Sequence, residues 1–151
     1  MIFAIVWGSI LFLTQDITQN AIFGHSQSGV QQFTTAQNDT NRADSAIQAA
    51  STKASSCLTV ACLRPAHLAA AASLTQLADD LRGMSLPSNA SGQAQDVESD
   101  ASQLASIFTE LANSSDGATY RATAQRSDIS SLLTSYSNDS MNLLNTLDSD
   151  L

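Results

Sequence analysis

Residues 91–112, SGQAQDVESDASQLASIFTELA, have the clearest helical pattern in this sequence. Their apolar side chains recur in alternating steps of three and four residues, which is the repeat of one face of an amphipathic α-helix. The six positions are Ala94, Val97, Ala101, Leu104, Phe108 and Leu111. Because such a row is stable only when another helix covers it, we predict that these six residues form an interaction seam.

Three other segments repeat this pattern less regularly. They extend from Ser26 to about Ser56, from Pro65 to Met84, and from Gly117 to Leu151. No window alternates apolar and polar residues as a half-buried β-strand does, and Pro65 stands where the first turn of a helix tolerates proline. Short connections make sequential helices antiparallel neighbours. We therefore predict an all-α body over residues 26–151, folded as an up-down-up-down four-helix bundle.

An uncharged hydrophobic run, IFAIVWGSILFL, occupies residues 2–13, and Asp16 is the first ionisable side chain after it. The run is shorter than the ~20 residues that cross a bilayer as a helix. A secretory signal peptide is an alternative, although no basic residue precedes the run and no clear cleavage site follows it. Two further alternatives are that the run is a helix buried in the protein core, or that it is the end of a longer membrane span. We predict that residues 1–23 form a membrane anchor helix or a signal-like segment.

The charge balance limits the partners of the chain. Its net charge is −8, with six basic and fourteen acidic side chains. Binding to nucleic acid requires clustered lysine and arginine, and none cluster here, so we expect no nucleic-acid partner. A single lysine with much alanine, serine, threonine, glutamine and aspartate resembles the composition of secreted and cell-envelope proteins from high-GC bacteria. We predict a membrane-anchored protein with most of its chain in the periplasm or outside the cell.

The chain has two cysteines, Cys57 and Cys62. In a continuous helix their Cα atoms would lie outside the roughly 4.4–6.8 Å range of a disulfide, whereas a turn would bring them within it. In an exported protein an oxidised pair is the simplest interpretation, so we predict a disulfide that clamps the first interhelical loop. A zinc site would need two more ligands. His67 is close in sequence but His25 is distant, and we predict no metal ligands.

The sequence contains no known catalytic constellation. A di-iron bundle would need Glu-x-x-His pairs, but Glu98 and Glu110 have no histidine three residues on. Asp79 and Asp80 point to different sides of a helix, which is typical of solvated residues. His67 could accept a proton or bind a ligand, although a histidine at a helix start more often packs there. We predict no catalytic residues and no cofactor.

A site for an anionic small molecule would form if basic and aromatic side chains from different helices converged. The candidates are Arg64, Arg82, Tyr120, Arg121, Arg126 and Tyr136. Nothing in their spacing requires convergence, so the sequence leaves a small-molecule ligand open.

These features favour a non-enzymatic function. We expect a membrane-anchored extracytoplasmic interaction module, an accessory subunit of a bacterial cell-envelope complex that binds another protein or associates with itself. The alternative is a ligand-sensing four-helix bundle of a membrane receptor. Such sensors normally return through the membrane, so signalling would require a partner or a further C-terminal portion. An enzyme that uses His67 with a nearby carboxylate is a third interpretation, which a buried cavity holding both groups would support.

Overall fold

The computed structural model describes residues 27–151, and the secondary structure in this range is entirely helical. Its helices are α1 (Gln27–Ser56), α2 (Val60–Gly83), α3 (Ser88–Ala112), α4 (Gly117–Ala124) and α5 (Ser127–Ser149). The prediction of an all-α body is confirmed for this range. The predicted membrane anchor at residues 1–23 lies outside the described residues. Within residues 27–151, no helix combines the length and the hydrophobicity needed to cross a bilayer.

The six residues of the interaction seam are all buried. Helix α3 packs mainly against α2 and α5, so the helices that cover the seam belong to the same chain. Leu104 and Leu111 have no exposed surface, and full burial of a leucine side chain is worth about 1.5–3 kcal/mol. The seam is therefore part of the core of this molecule.

Helix α2 begins five residues before Pro65. Thr59 has an extended backbone, and its side-chain oxygen accepts a hydrogen bond from the backbone N–H of Cys62. This cap starts the helix early, so Pro65 lies in the second turn rather than in the first turn as predicted. Proline has no N–H to give to the carbonyl of Ala61. Ala61 is exposed, and water can donate to that carbonyl instead.

The C-terminal segment, predicted as one helix, forms two. Gln125 and Arg126 separate α4 from α5, and the backbone of Arg126 is extended. Tyr120 in α4 and Ile129 in α5 are both buried. They are nine residues apart, and at about 100° per residue a continuous helix would put them on opposite faces. The break allows both helices to turn their apolar face toward one core, and the prediction of a single helix here is wrong.

The chain turns back on itself at two ends. At the end that we call the base, Gln32 near the start of α1 donates to the carbonyl oxygen of Ser85, just after α2. Asn89 at the start of α3 donates to the carboxylate of Asp150, just after α5, at 2.9 Å. The base comprises residues 27–46, 70–102 and 138–151.

The opposite end, which we call the tip, comprises residues 47–69 and 103–137. Here Arg64, near the start of α2, donates to the carbonyl oxygen of Ala112, the last residue of α3, at 2.9 Å. The loop between α1 and α2, all of α4 and the start of α5 also belong to the tip. Helix α2 packs on both α1 and α3, and α3 packs on α5.

Three carboxyl groups lie at the edges of the apolar core. Asp39, Asp44 and Asp100 each have one carboxylate oxygen that is buried without a hydrogen-bond partner. Burial raises the pKa of all three, and raises that of Asp44 to about 6. Asp44 in α1 lies beside Tyr136 of α5, whose hydroxyl is also buried and makes no hydrogen bond of normal geometry. The ionised form of Asp44 therefore destabilises the contact between α1 and α5.

We expect Asp44→Asn to stabilise the fold at pH 7, because asparagine has no charge to desolvate and can donate to Tyr136. Urea denaturation should show a free energy of unfolding higher by about 1–2 kcal/mol, less than the full pKa shift implies because the side chain is partly exposed. The folded-state pKa of about 6 lies above the ordinary aspartate pKa of 3.8, so protonation favours the native protein as the pH falls between these values. The advantage of the variant should therefore disappear near pH 4.

The control is Asp148→Asn, which removes the same charge from an exposed position at the end of α5. If the two variants had equal effects at pH 7, the gain would come from the net charge and not from the burial of Asp44.

Candidate functional site

The loop between α1 and α2 is the most exposed apolar feature of the tip. The Cα atoms of Cys57 and Cys62 are 5.7 Å apart, and the pair lies at disulfide distance, as predicted. Cys57 follows the last residue of α1 and Cys62 lies in the first turn of α2, so the break between the helices permits this approach. Leu58, between the cysteines, is 86% exposed. The loop therefore holds an apolar side chain out in solvent.

An open groove of about 320 Å³ lies beside this loop. The loop and the first turn of α2 form one wall, and the turn between α3 and α4 forms the other. Asp116 on the second wall caps α4, since its carboxylate accepts from the backbone N–H groups of Thr119 and Ala118, both at 2.8 Å. These bonds, that of Thr119 first, lower the pKa of Asp116. The groove combines one mainly apolar wall with a polar wall that carries an ionised carboxylate.

A buried polar pair lies beneath the groove. The Nε2 atom of His67 and the hydroxyl oxygen of Tyr120 are 2.8 Å apart, and both residues are almost completely buried. The ring of Phe108 packs beside that of His67, with 5.7 Å between the ring centroids. Burial lowers the pKa of His67 to about 4 and raises the pKa of Tyr120 to about 12. Both side chains are therefore neutral near pH 7.

This geometry bears on the hypothesis that His67 works with a carboxylate. Its Nε2 atom pairs with Tyr120, and its Nδ1 atom is buried without a hydrogen-bond partner, so neither ring nitrogen bonds a carboxylate. The arrangement that would support acid/base chemistry at His67 is not present in the described residues. In residues 27–151 there is also no group of three or more His, Cys, Asp or Glu side chains that could hold a metal ion.

The candidates for a cationic-aromatic cluster do not converge. Arg82 lies at the base, where it pairs with Glu98 at 2.7 Å, whereas Arg64 lies at the tip. Arg126 is held in ion pairs with two acidic side chains. Tyr136 is buried in the middle of the molecule beside α1. The hypothesis of an anionic-ligand site formed by all these residues is wrong.

Charge is divided unevenly between the tip and the base. The tip has three acidic side chains and four basic ones, which are Lys53, Arg64, Arg121 and Arg126. The base has ten acidic and two basic side chains. Like charge keeps copies of an acidic protein apart, and in this chain the repulsion is concentrated at the base. A negatively charged macromolecule is therefore repelled less by the tip than by the base.

Periodicity did not reveal a second apolar surface, which we call the outer face of α2. It is the exposed row opposite the core, and it consists of Ala61, Pro65, Leu68, Ala69 and Ala72. The buried stripe of the same helix runs through Leu63, His67, Ala70, Leu74 and Leu77. The available signal was Leu68, a large apolar residue out of phase with that stripe and 44% exposed.

No protein-family model matches this sequence, and neither a curated protein nor a solved structure is significantly similar to it. The function must therefore be argued from the residues of the chain itself. The candidate functional site is the tip, because it combines an exposed apolar loop, a groove, an uncharged helix face and a balanced charge.

We expect Tyr120→Phe to lower the free energy of unfolding by about 1–3 kcal/mol, because it leaves both ring nitrogens of His67 buried without partners. The double variant His67→Leu/Tyr120→Phe should recover much of this loss, since neither polar group then remains. Urea denaturation of the full chain at pH 7 measures both changes. If the double variant were no more stable than Tyr120→Phe, the hydrogen bond would not be the cause.

Proposed function

We propose that this chain is a non-enzymatic, membrane-anchored interaction module of the cell envelope. Its helical body lies outside the cytoplasm and serves as an accessory subunit that contacts other proteins through its tip. The body is an up-down-up-down four-helix bundle of α1, α2, α3 and α5, with α4 as a short additional helix at the tip. The antiparallel contacts at the base and at the tip support this topology.

The position of the exposed apolar residues relative to the N-terminal hydrophobic run carries the proposal. Helix α1 begins at the base, and residues 2–13 precede it in sequence. With 30 residues, α1 is about 45 Å long, so Leu58 stands at its far end. A chain anchored through residues 1–23 presents Leu58 and the outer face of α2 away from the membrane, where a partner can reach them.

The surface of the described body supports binding at the tip. Large apolar side chains are exposed at Leu58, Leu68 and Met141 in this part of the chain. Two of these three lie at the tip, in and just after the loop between the cysteines. Apolar side chains that cluster on a surface mark interaction sites, whereas Met141 stands apart on α5. The cysteine pair at disulfide distance supports a location in an oxidising compartment.

A ligand-sensing bundle is the second candidate function, and the groove at the tip favours it. Its volume of about 320 Å³ lies at the lower end of the range of small-molecule sites, about 300–1,000 Å³. A mainly apolar wall opposite the ionised Asp116 suits a small organic cation with an apolar part. Such a ligand would bind at the membrane-distal end of an anchored chain.

The ligand-sensing candidate predicts that an aromatic amine binds in the groove. Tyramine at millimolar concentration should raise the melting temperature of the full chain, because a ligand that binds the folded state stabilises it. Ala61→Trp fills the groove and should abolish the increase, while Ala72→Trp, further along the same exposed helix, should not. An equal increase in all three proteins would show that tyramine binds elsewhere, and no increase would count against sensing of this class of ligand.

Membrane anchoring predicts that the full chain, produced in bacterial cells, stays with the membrane fraction after a high-salt wash. The double variant Ile5→Asp/Ile10→Asp should lose this attachment, because one charge at the centre of a membrane helix costs about 2.5–3.5 kcal/mol. Ile17→Asp, outside the run, is the control and should remain attached.

Cys57 and Cys62 should react with a thiol reagent only after reduction, because the proposal places them in an oxidising compartment. Free thiols in a cytosolic chain would contradict the proposal.

A further inference from the structure

We propose that two copies of this chain associate through the outer face of α2, in antiparallel orientation. This inference rests on the proposed function, and it names the partner as a second copy of the chain. The five residues of the face are exposed and uncharged. The contact lies mainly at the tip and reaches the first residues of the base at Ala72, on the side of the molecule that α1 and α3 leave uncovered.

The composition of this face distinguishes it from the rest of the described surface. The exposed rows of α1 and α5 consist mainly of serine, threonine, asparagine and glutamine, which water solvates well. The outer face of α2 instead carries three alanines, a proline and a leucine. Alanine lets two helices approach to the lower end of the usual interaxial range, about 8–10 Å. Leu68, 44% exposed, then has the largest apolar area to lose to the partner.

Charge complementarity identifies the occupant and its orientation. Asp79 follows the outer face toward the base, where it is ion-paired with Arg82 at 2.9 Å and where ten acidic side chains stand against two basic ones. In a parallel pair the acidic bases of the two copies would lie side by side and repel. In an antiparallel pair centred between Pro65 and Leu68, each copy places its Asp79 beside the tip of the other copy, where basic side chains outnumber acidic ones. A second copy thus provides both an uncharged contact and a complementary charge next to it.

The size of the face sets the strength of the association. Residues 61–72 extend about 18 Å along α2, at about 1.5 Å per residue. With a helix width of about 10 Å, the face covers a few hundred Å² at most, below the roughly 800 Å² per partner of a stable interface. The isolated pair is therefore weak. Two membrane-anchored copies in this orientation come from facing membranes, and many such pairs acting together strengthen the attachment.

The test is sedimentation equilibrium of the full chain in a mild detergent over a range of concentrations. We expect a reversible monomer–dimer equilibrium, which Leu68→Glu weakens by about ten-fold or more because it places a charge within the contact. The matched control is Met141→Glu, whose starting side chain is 41% exposed against 44% for Leu68; it should change the dissociation constant by less than about two-fold. A monomer at every concentration, or a dimer that both variants affect equally, overturns the proposal.

Charge reversal tests the orientation. Asp79→Lys should weaken the antiparallel dimer, because the new lysine meets the basic tip of the partner, and it would strengthen a parallel dimer by meeting the partner's carboxylates. Asp148→Lys makes the same change far from the face and is the control. Strengthening by Asp79→Lys beyond the control overturns the antiparallel arrangement. The test of the membrane anchor is independent of the test of the dimer. Ile5→Asp/Ile10→Asp should detach the chain from membranes and leave the monomer–dimer equilibrium unchanged.

Discussion

The burial of the α3 seam is the interaction on which the rest of the structure depends. Leu104, Phe108 and Leu111 are almost completely buried between α2 and α5, in a core that combines large apolar side chains with many alanines. Because hydrophobic stabilisation scales with the apolar area removed from water, each of these three residues contributes more than a buried alanine. Helix α1 adds Ile47 and several alanines, and it meets α5 through the poorly satisfied pair of Asp44 and Tyr136. The contact between α1 and α5 is therefore the least stable contact between long helices in the core.

Two kinds of buried titratable group make acid act differently on different parts of the molecule. Burial lowers the pKa of His67 to about 4, so the stability contributed by its neutral form is lost as the pH falls below about 6.5. Burial raises the pKa of Asp39, Asp44 and Asp100, so the native state gains stability over a similar interval. His67 lies beneath the groove at the tip, and Asp44 lies between α1 and α5. Mild acid therefore destabilises the tip and stabilises the contact between α1 and α5. A measurement of the global free energy of unfolding against pH gives only the sum of the two effects.

The sequence predicts the features of this fold that depend on local repeats, and it fails where distant segments meet. The seam of α3 and the position of the cysteine loop follow from spacing alone. The break before α5 was not predicted, although the half-turn phase difference between Tyr120 and Ile129 is already present in the sequence. The pairing of His67 with Tyr120 joins residues 53 positions apart. Helical periodicity contains no information about such a contact, which is fixed by how α2, α3 and α4 pack together.

The division of charge matters at the tip because electrostatic forces act over a short range in salt. At physiological ionic strength the interaction of exposed charges is screened over about 8 Å. Asp79 lies seven residues beyond Ala72, about 10 Å along α2, so its carboxylate affects a contact on the outer face only through partner charges that lie directly beside it. The carboxylates of Asp148 and Asp150, at the end of α5, are further away and mainly add to the general repulsion between bases. The choice between parallel and antiparallel pairing therefore depends on the few charges that border the uncharged face, among them the ion pair of Asp79 with Arg82.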